Sequence, residues 1–183
     1  MLKSARVPIL GLAAFSNVGK TTLLAKLLPL LKGQGLRVGA VKHAPHGFDI
    51  DRPGKDSYEL REAGAAQILI GSQQRWALMT ETDGQEVLRL DELLRHLDQD
   101  SLDCVLVEGF KHESFPKIEV HRPSLGHPLL CVEDRSIIAV ASDGPLSKET
   151  HLPLLDLNNP SEIVEFICER LFGAKRKSAS KPK

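Results

Sequence analysis

Cysteine is scarce in this chain of 183 residues: Cys104, Cys131 and Cys168 are odd in number and far apart. That excludes a disulfide framework and offers no zinc-ligand spacing, so buried thiols in a reducing compartment are expected. No apolar run approaches the roughly 18–20 residues of a membrane span. The longest, Leu23–Leu31, is interrupted by Lys26 and Pro29. Met1–Arg6 is basic but lacks the apolar core of a signal peptide, so a cytoplasmic location is expected. Net charge is absent as well, with 24 basic and 24 acidic residues. The last ten residues hold five bases and no acid; without those five, 19 bases face 24 acids, a net of −5. Such a body does not read nucleic acid by electrostatics. No repeat of 20–50 residues is visible. The length is that of one domain, 1–172, and the basic tail, 173–183, has nothing to bury and is expected to be disordered.

What is present is an alternation of apolar strands and amphipathic helices. Val7–Ala13 reads as a strand and Lys20–Lys32 as a helix whose leucines share one face, with Pro29 expected to kink or shorten its end. Arg37–Lys42, Asp103–Val107, Lys117–His121 and Ser136–Ala141 read as further strands, Leu129–Val132 as a weaker one. Asp56 reads as an N-cap with Glu59 completing a capping box, opening a helix to about Ala66. Asp91–Leu97 reads as a short helix, and Asn159-Pro160-Ser161-Glu162 opens a last helix, Pro160–Leu171. This alternation predicts an α/β fold: a mainly parallel sheet with helices on both faces. Residues 67–90 break it. Gln67–Gly71 and Gln74–Thr80 look like strands, and Asp83-Gly84 is a hairpin signal with Glu86–Leu90 returning. An inserted antiparallel hairpin is marginal alone, so it must join the main sheet or a second chain.

The sharpest chemical signal is Ala14-Phe15-Ser16-Asn17-Val18-Gly19-Lys20-Thr21-Thr22, a G-x-x-x-x-G-K-[ST] phosphate loop with Ala14 at the first glycine. Ser16, Asn17, Val18, Gly19, Lys20, Thr21 and Thr22 are the candidate nucleotide contacts. Gly19 tolerates positive φ and close backbone approach. Lys20 brings a charge to the β/γ-phosphates, and Thr21 brings a hydroxyl to Mg²⁺. The helix that starts here adds unpaired N–H groups.

A phosphate loop needs an acid near its metal, and the strand ending Val107-Glu108-Gly109 supplies one. Glu108 could hold Mg²⁺ or position an attacking water, which makes Lys20 and Glu108 the candidate catalytic pair. The loop His43–Lys55 holds His43, His46, Asp49 and Asp51; a Mg²⁺ or substrate role for Asp51 or Asp49 is favoured over a zinc site, because no cysteine joins them. Asp143, after the strand Ser136–Ala141, could accept hydrogen bonds from guanine, or belong to an ordinary Asp-Gly-Pro turn. Lys111, His112 and Lys117 could meet an anionic partner or lie on a solvated surface, and His121 and His127 read as surface or turn residues. No arginine and no water-positioning glutamine is evident beside the loop, so any hydrolysis should be slow. A small-molecule kinase is the alternative reading, although the arginines are too scattered for a lid.

Beyond this loop, Pro53–Arg61, Ala63–Ala66, Ser72–Thr82 and Leu106–His112 form long specific segments. Together the chain resembles the molybdopterin-guanine dinucleotide biosynthesis adaptor family of bacterial molybdenum-cofactor maturation (MobB), over about Pro8 to Leu171. The resemblance implies a GTP-binding, P-loop NTPase-like protein with weak GTPase activity. It implies a homodimer built through an extended β-region matching the Trp76 hairpin. It also implies a separate guanylyltransferase as partner, which joins GMP to molybdopterin.

Overall fold

The structure, a computed structural model, describes residues 2–44, 47–85 and 87–173. His46, Glu86 and the tail from Ala174 lie outside the described residues, and so do the expectations attached to them. The described chain divides into two compact units: residues 44–88, and the remainder.

The larger unit is built on one parallel sheet. Its strands are β1 (Ile9–Ala13), β2 (Val38–Lys42), β5 (Cys104–Glu108), β6 (Lys117–His121), β7 (Ile137–Ser142) and β8 (Leu154–Asp156), in spatial order β2-β5-β1-β6-β7-β8. Every pairing in it is parallel. β1, β5 and β6 are buried along their whole length, as central parallel strands covered on both faces must be. On one face, the leucines of helix α1 (Lys20–Gly33) and the apolar stripe of α4 (Pro160–Phe172) pack with Leu10, Leu12, Leu106, Ile118 and Val120. On the other, α3 (Leu90–Leu93) and the 3-10 turn after it bring Leu90 and Leu94 onto Ile9, Val41, Val105 and Val107. This is the mainly parallel sheet with helices on both faces that the alternation predicts.

Local details depart from expectation. Pro29 stays inside α1, on the exposed side of the helix, where water can serve the carbonyl it leaves without an N–H partner. Leu130–Val132 is a 3-10 turn and not a strand, because its Leu130 and Cys131 N–H groups donate, at 2.8 Å each, to the buried carboxylate of Glu119. Strand β8 went unanticipated; its three residues carry too little pattern to read.

The smaller unit contains α2 (Asp56–Glu62), β3 (Gln67–Gly71) and β4 (Trp76–Thr80). Asp56 is the first helical residue, with Lys55 before it, and α2 ends short of Ala66, before Gly64 turns the chain at φ 102. The antiparallel hairpin is β3–β4, closed at Ser72–Arg75, and residues 87–89 form no returning strand. Ser72 fixes that turn: its N–H donates to the Arg75 carbonyl at 2.7 Å, and its hydroxyl accepts from the Gln74 and Arg75 N–H groups. The register sets Leu69 opposite Leu78 and Ile68 opposite Met79, an apolar pairing stronger than the local Asp83-Gly84 signal.

Candidate nucleotide-binding site

The chain leaves β1 for β2 and β5 on one side and then crosses to β6 on the other. In open α/β sheets, ligands bind at such a switch point, beyond the carboxyl ends of the strands. The loop 14–19 occupies that place. Asn17 at φ 63 and Gly19 at φ 105 adopt left-handed backbone there; Gly19 does so without strain, and it opens α1. Ser16 and Asn17 are exposed at the loop, Val18 is buried beneath it, and Thr21 and Thr22 are exposed on the first turn of α1.

Lys20 Nζ donates to the carbonyls of Ala14 at 3.2 Å and Phe15 at 2.9 Å, folding back over its own loop. Burial lowers its pKa from the usual lysine value; the charge of Glu108 works against this, while Lys111 and Lys42 add to the lowering. Crowded cations beside a cradle of backbone groups suit a polyphosphate, whose charge relieves their repulsion.

The Thr21 hydroxyl lies 2.7 and 2.8 Å from the two oxygens of Glu108. β5 delivers that carboxylate at its last residue, and its side chain is only 11% exposed. Gly109 follows at φ 99, and a Cβ there would lie 2.6 Å from the His43 Cβ, so the turn that aims Glu108 requires glycine. Phe110 then stacks on His43 with ring centroids 4.7 Å apart. Lys42 Nζ stands 3.3 Å from Thr21 Oγ1 and 3.7 Å from Glu108 Oε1. A cationic group thus already faces these hard oxygen donors, and the pair fits Mg²⁺, which favours one or two protein oxygens plus phosphate.

Other sequence candidates are placed differently. Asp51 belongs to the smaller unit, where its Oδ1 accepts from Ser57 Oγ at 3.0 Å and from the Arg52 N–H at 2.9 Å. Asp143 follows β7, and its carboxylate is engaged by the guanidinium of Arg122. Arg122 follows β6 and also donates from Nε to the Val18 carbonyl at 2.9 Å. It escaped the sequence reading because Val18 and Arg122 lie 104 residues apart and no motif joins them. Its position at the carboxyl end of a predicted strand was the available signal.

Lys117 is fully buried and meets no external anion. Its Nζ donates to the carbonyls of Glu113 at 2.6 Å and Lys111 at 3.1 Å and pairs with Asp134 at 2.9 Å. It therefore ties down the loop that follows Glu108. His121 is buried, 3.9 Å from Glu119, and His127 stacks on Phe15 of the phosphate loop at 4.5 Å, so neither is a simple surface residue. Among the described residues, no group of three or more His, Cys, Asp or Glu side chains is arranged to hold a metal ion. No described helix is long and apolar enough to cross a membrane.

A six-stranded parallel sheet, a Gly-Lys-Thr loop beyond its β1 strand and an acid at the last residue of the neighbouring β5 define a P-loop NTPase-like α/β protein. Comparison with known proteins narrows the class. Residues 9–143 match the MobB family, described as molybdopterin guanine dinucleotide synthesis protein B. The molybdopterin-guanine dinucleotide biosynthesis adapter protein of Escherichia coli is 51% identical over 170 residues, covering 92% of this chain and 96% of that one. Its counterpart in Haemophilus influenzae is 43% identical, covering 88% of each. The crystal structure of Bacillus subtilis MobB superposes with a TM-score of 0.71 at 26% identity, covering 91% of this chain and 99% of that one. The chain belongs to the MobB family.

Proposed function

We propose that this chain is a cytoplasmic GTP-binding adapter in molybdopterin-guanine dinucleotide biosynthesis, with weak Mg²⁺-dependent GTPase activity. The observation that carries the reading is the Thr21–Glu108 pair beside Lys20 and the phosphate loop. Lys20 binds the β- and γ-phosphates, and the N–H groups of residues 16–22 cradle them. Thr21 and Glu108 hold Mg²⁺, which neutralises developing phosphate charge when bound. Hydrolysis is slow because Arg122, the arginine that touches the loop, is committed to Val18 and Asp143. GTP is favoured over ATP on the family resemblance, and the adapter proteins of Escherichia coli and Haemophilus influenzae supply the pathway.

The partner is a guanylyltransferase that joins GMP to molybdopterin with loss of pyrophosphate. The adapter acts as a homodimer through its hairpin. One face of β3–β4 carries Leu69, Leu78 and Trp76, and Leu69 and Trp76 are each 68% exposed, an apolar surface that a second copy can cover. The test is reconstitution: guanylyltransferase, molybdopterin, Mg²⁺ and GTP with and without this protein. Increased dinucleotide formation with the wild type and none with Lys20→Ala is the expected result. Equal stimulation by both would remove nucleotide binding from its function.

A further inference from the structure

We propose that Arg122, clamped by Asp143, is a positioning residue of the phosphate loop that fixes the Val18–Gly19 peptide for phosphate binding. The inference rests on the nucleotide reading of the loop and assigns a part to two residues on the other side of the switch point.

Arg122 leaves the carboxyl end of β6, the strand beside β1, and so reaches the loop from across the crevice. Its Nε donates to the Val18 carbonyl at 2.9 Å. All described peptide bonds are trans, so the Gly19 N–H points opposite to the Val18 carbonyl. Holding that carbonyl on one side therefore commits the Gly19 N–H to the other. Without the guanidinium, Gly19 at φ 105 is free to rotate, because glycine meets little steric resistance. Nη2 also lies against the loop, 3.8 Å from where a Cβ on Gly19 would stand.

The arginine is itself held. Nη1 pairs with the Asp143 carboxylate, which follows β7, the neighbour of β6. Pro123 packs 3.6 Å from the Cβ position of Gly144, so the loops after β6 and β7 touch beside this pair. Ser142 Oγ donates to the Gly144 carbonyl at 2.8 Å and stiffens the second loop. The guanidinium is planar and its donors are fixed in one fork, so orienting Nη1 orients Nε. An isolated half-exposed pair contributes little to stability. This one differs because a third contact carries its orientation into the phosphate loop.

Asp143 in this arrangement acts through Arg122 on the phosphate end of the ligand, which GTP and ATP share. A base-reading Asp143 would distinguish them. The deciding experiment is calorimetric titration of the full chain with Mg·GTP and Mg·ATP. It compares wild type, Arg122→Gln, Arg122→Lys, Asp143→Asn and the Arg122→Gln/Asp143→Asn pair, with each unfolding midpoint taken without nucleotide. Arg122→Gln is expected to weaken both nucleotides alike, by about tenfold, as for loss of a charged hydrogen bond. Arg122→Lys should recover part of that loss. Asp143→Asn should weaken both by one smaller common factor, and the double variant should bind no worse than Arg122→Gln.

Wild-type affinity in Arg122→Gln overturns the proposal, as does additive loss in the double variant. Selective loss of GTP in Asp143→Asn overturns it in favour of base recognition. Should Arg122→Gln fail to fold, Arg122→Lys and Asp143→Asn still carry the test. Absence of binding of either nucleotide by the wild type overturns the nucleotide reading and this inference together.

Discussion

The two units solve opposite problems with similar residues. In the larger unit, β1, β5 and β6 bury every residue, polar ones included, and the chemistry stands at the strand ends. In the smaller unit, only Ile68 of the β3–β4 hairpin is buried, while Leu69, Ile70, Trp76 and Leu78 stay exposed. The first unit has completed its own core and presents charge. The second has not, and presents apolar surface. On the proposed function, the difference separates two properties of one chain: ligand binding would belong to the unit whose interior is finished, and association to the one whose interior is not.

That separation predicts variants that damage one property and spare the other. The largest effect is expected from Lys20→Ala, which removes the ammonium folded over the loop 14–19. Nucleotide affinity should fall by about a hundredfold or more, with the dimer retained when followed by calorimetry and sedimentation. Trp76→Asp is the converse. A buried interface tryptophan commonly carries about 2 kcal/mol or more of association energy. The dimer dissociation constant should rise correspondingly, with the nucleotide affinity of the protomer unchanged. Loss of nucleotide binding in Trp76→Asp would break the separation.

A smaller effect concerns how the larger unit holds its polar interior. Burial pushes the Asp134 carboxyl up, but hydrogen bonds from Ser136 and Lys117 and the Lys117 charge outweigh it and lower its pKa. A depressed folded pKa stabilises the fold above the unfolded value, about 3.9 for Asp. That contribution is lost as pH falls through the folded value. Unfolding midpoints measured from pH 6 downward should fall for the wild type only below about pH 4, where the unfolded chain takes up the proton that the folded Asp134 still refuses. Asp134→Asn should start lower and show a shallower fall. The smallest effect is Lys42→Met, at an exposed side chain beside Glu108. It should cost less than about 1 kcal/mol of stability in metal-free protein.

What was legible in the sequence follows the range of the interactions. The phosphate loop, α1 and the strand ending at Glu108 are contiguous signals and stand where they were expected. The arrangement of Thr21 with Glu108 needed only the strand-end rule. Arg122 was illegible because its partners lie far away in sequence. Lys117 and His121 misled for another reason. Lys117 reads as a residue for an anionic partner or a solvated surface and His121 as a surface or turn residue, yet β6 is buried on both faces, its polar side chains satisfied by Asp134, backbone carbonyls and the Leu130 and Cys131 N–H groups. The hairpin was located correctly in its first two strands but closed at the wrong turn, because cross-strand pairing of Leu69 with Leu78 outranked the Asp83-Gly84 signal.

The central claim is that the loop 14–22 binds Mg·GTP. Thermal unfolding with Mg²⁺ alone, with Mg·GTP and with Mg·ATP, at one protein concentration, tests it most directly, since a ligand of the folded state raises the midpoint by mass action. The account predicts a clear rise with GTP, a smaller one with ATP and none for Lys20→Ala with either. An unchanged wild-type midpoint with both nucleotides would contradict it.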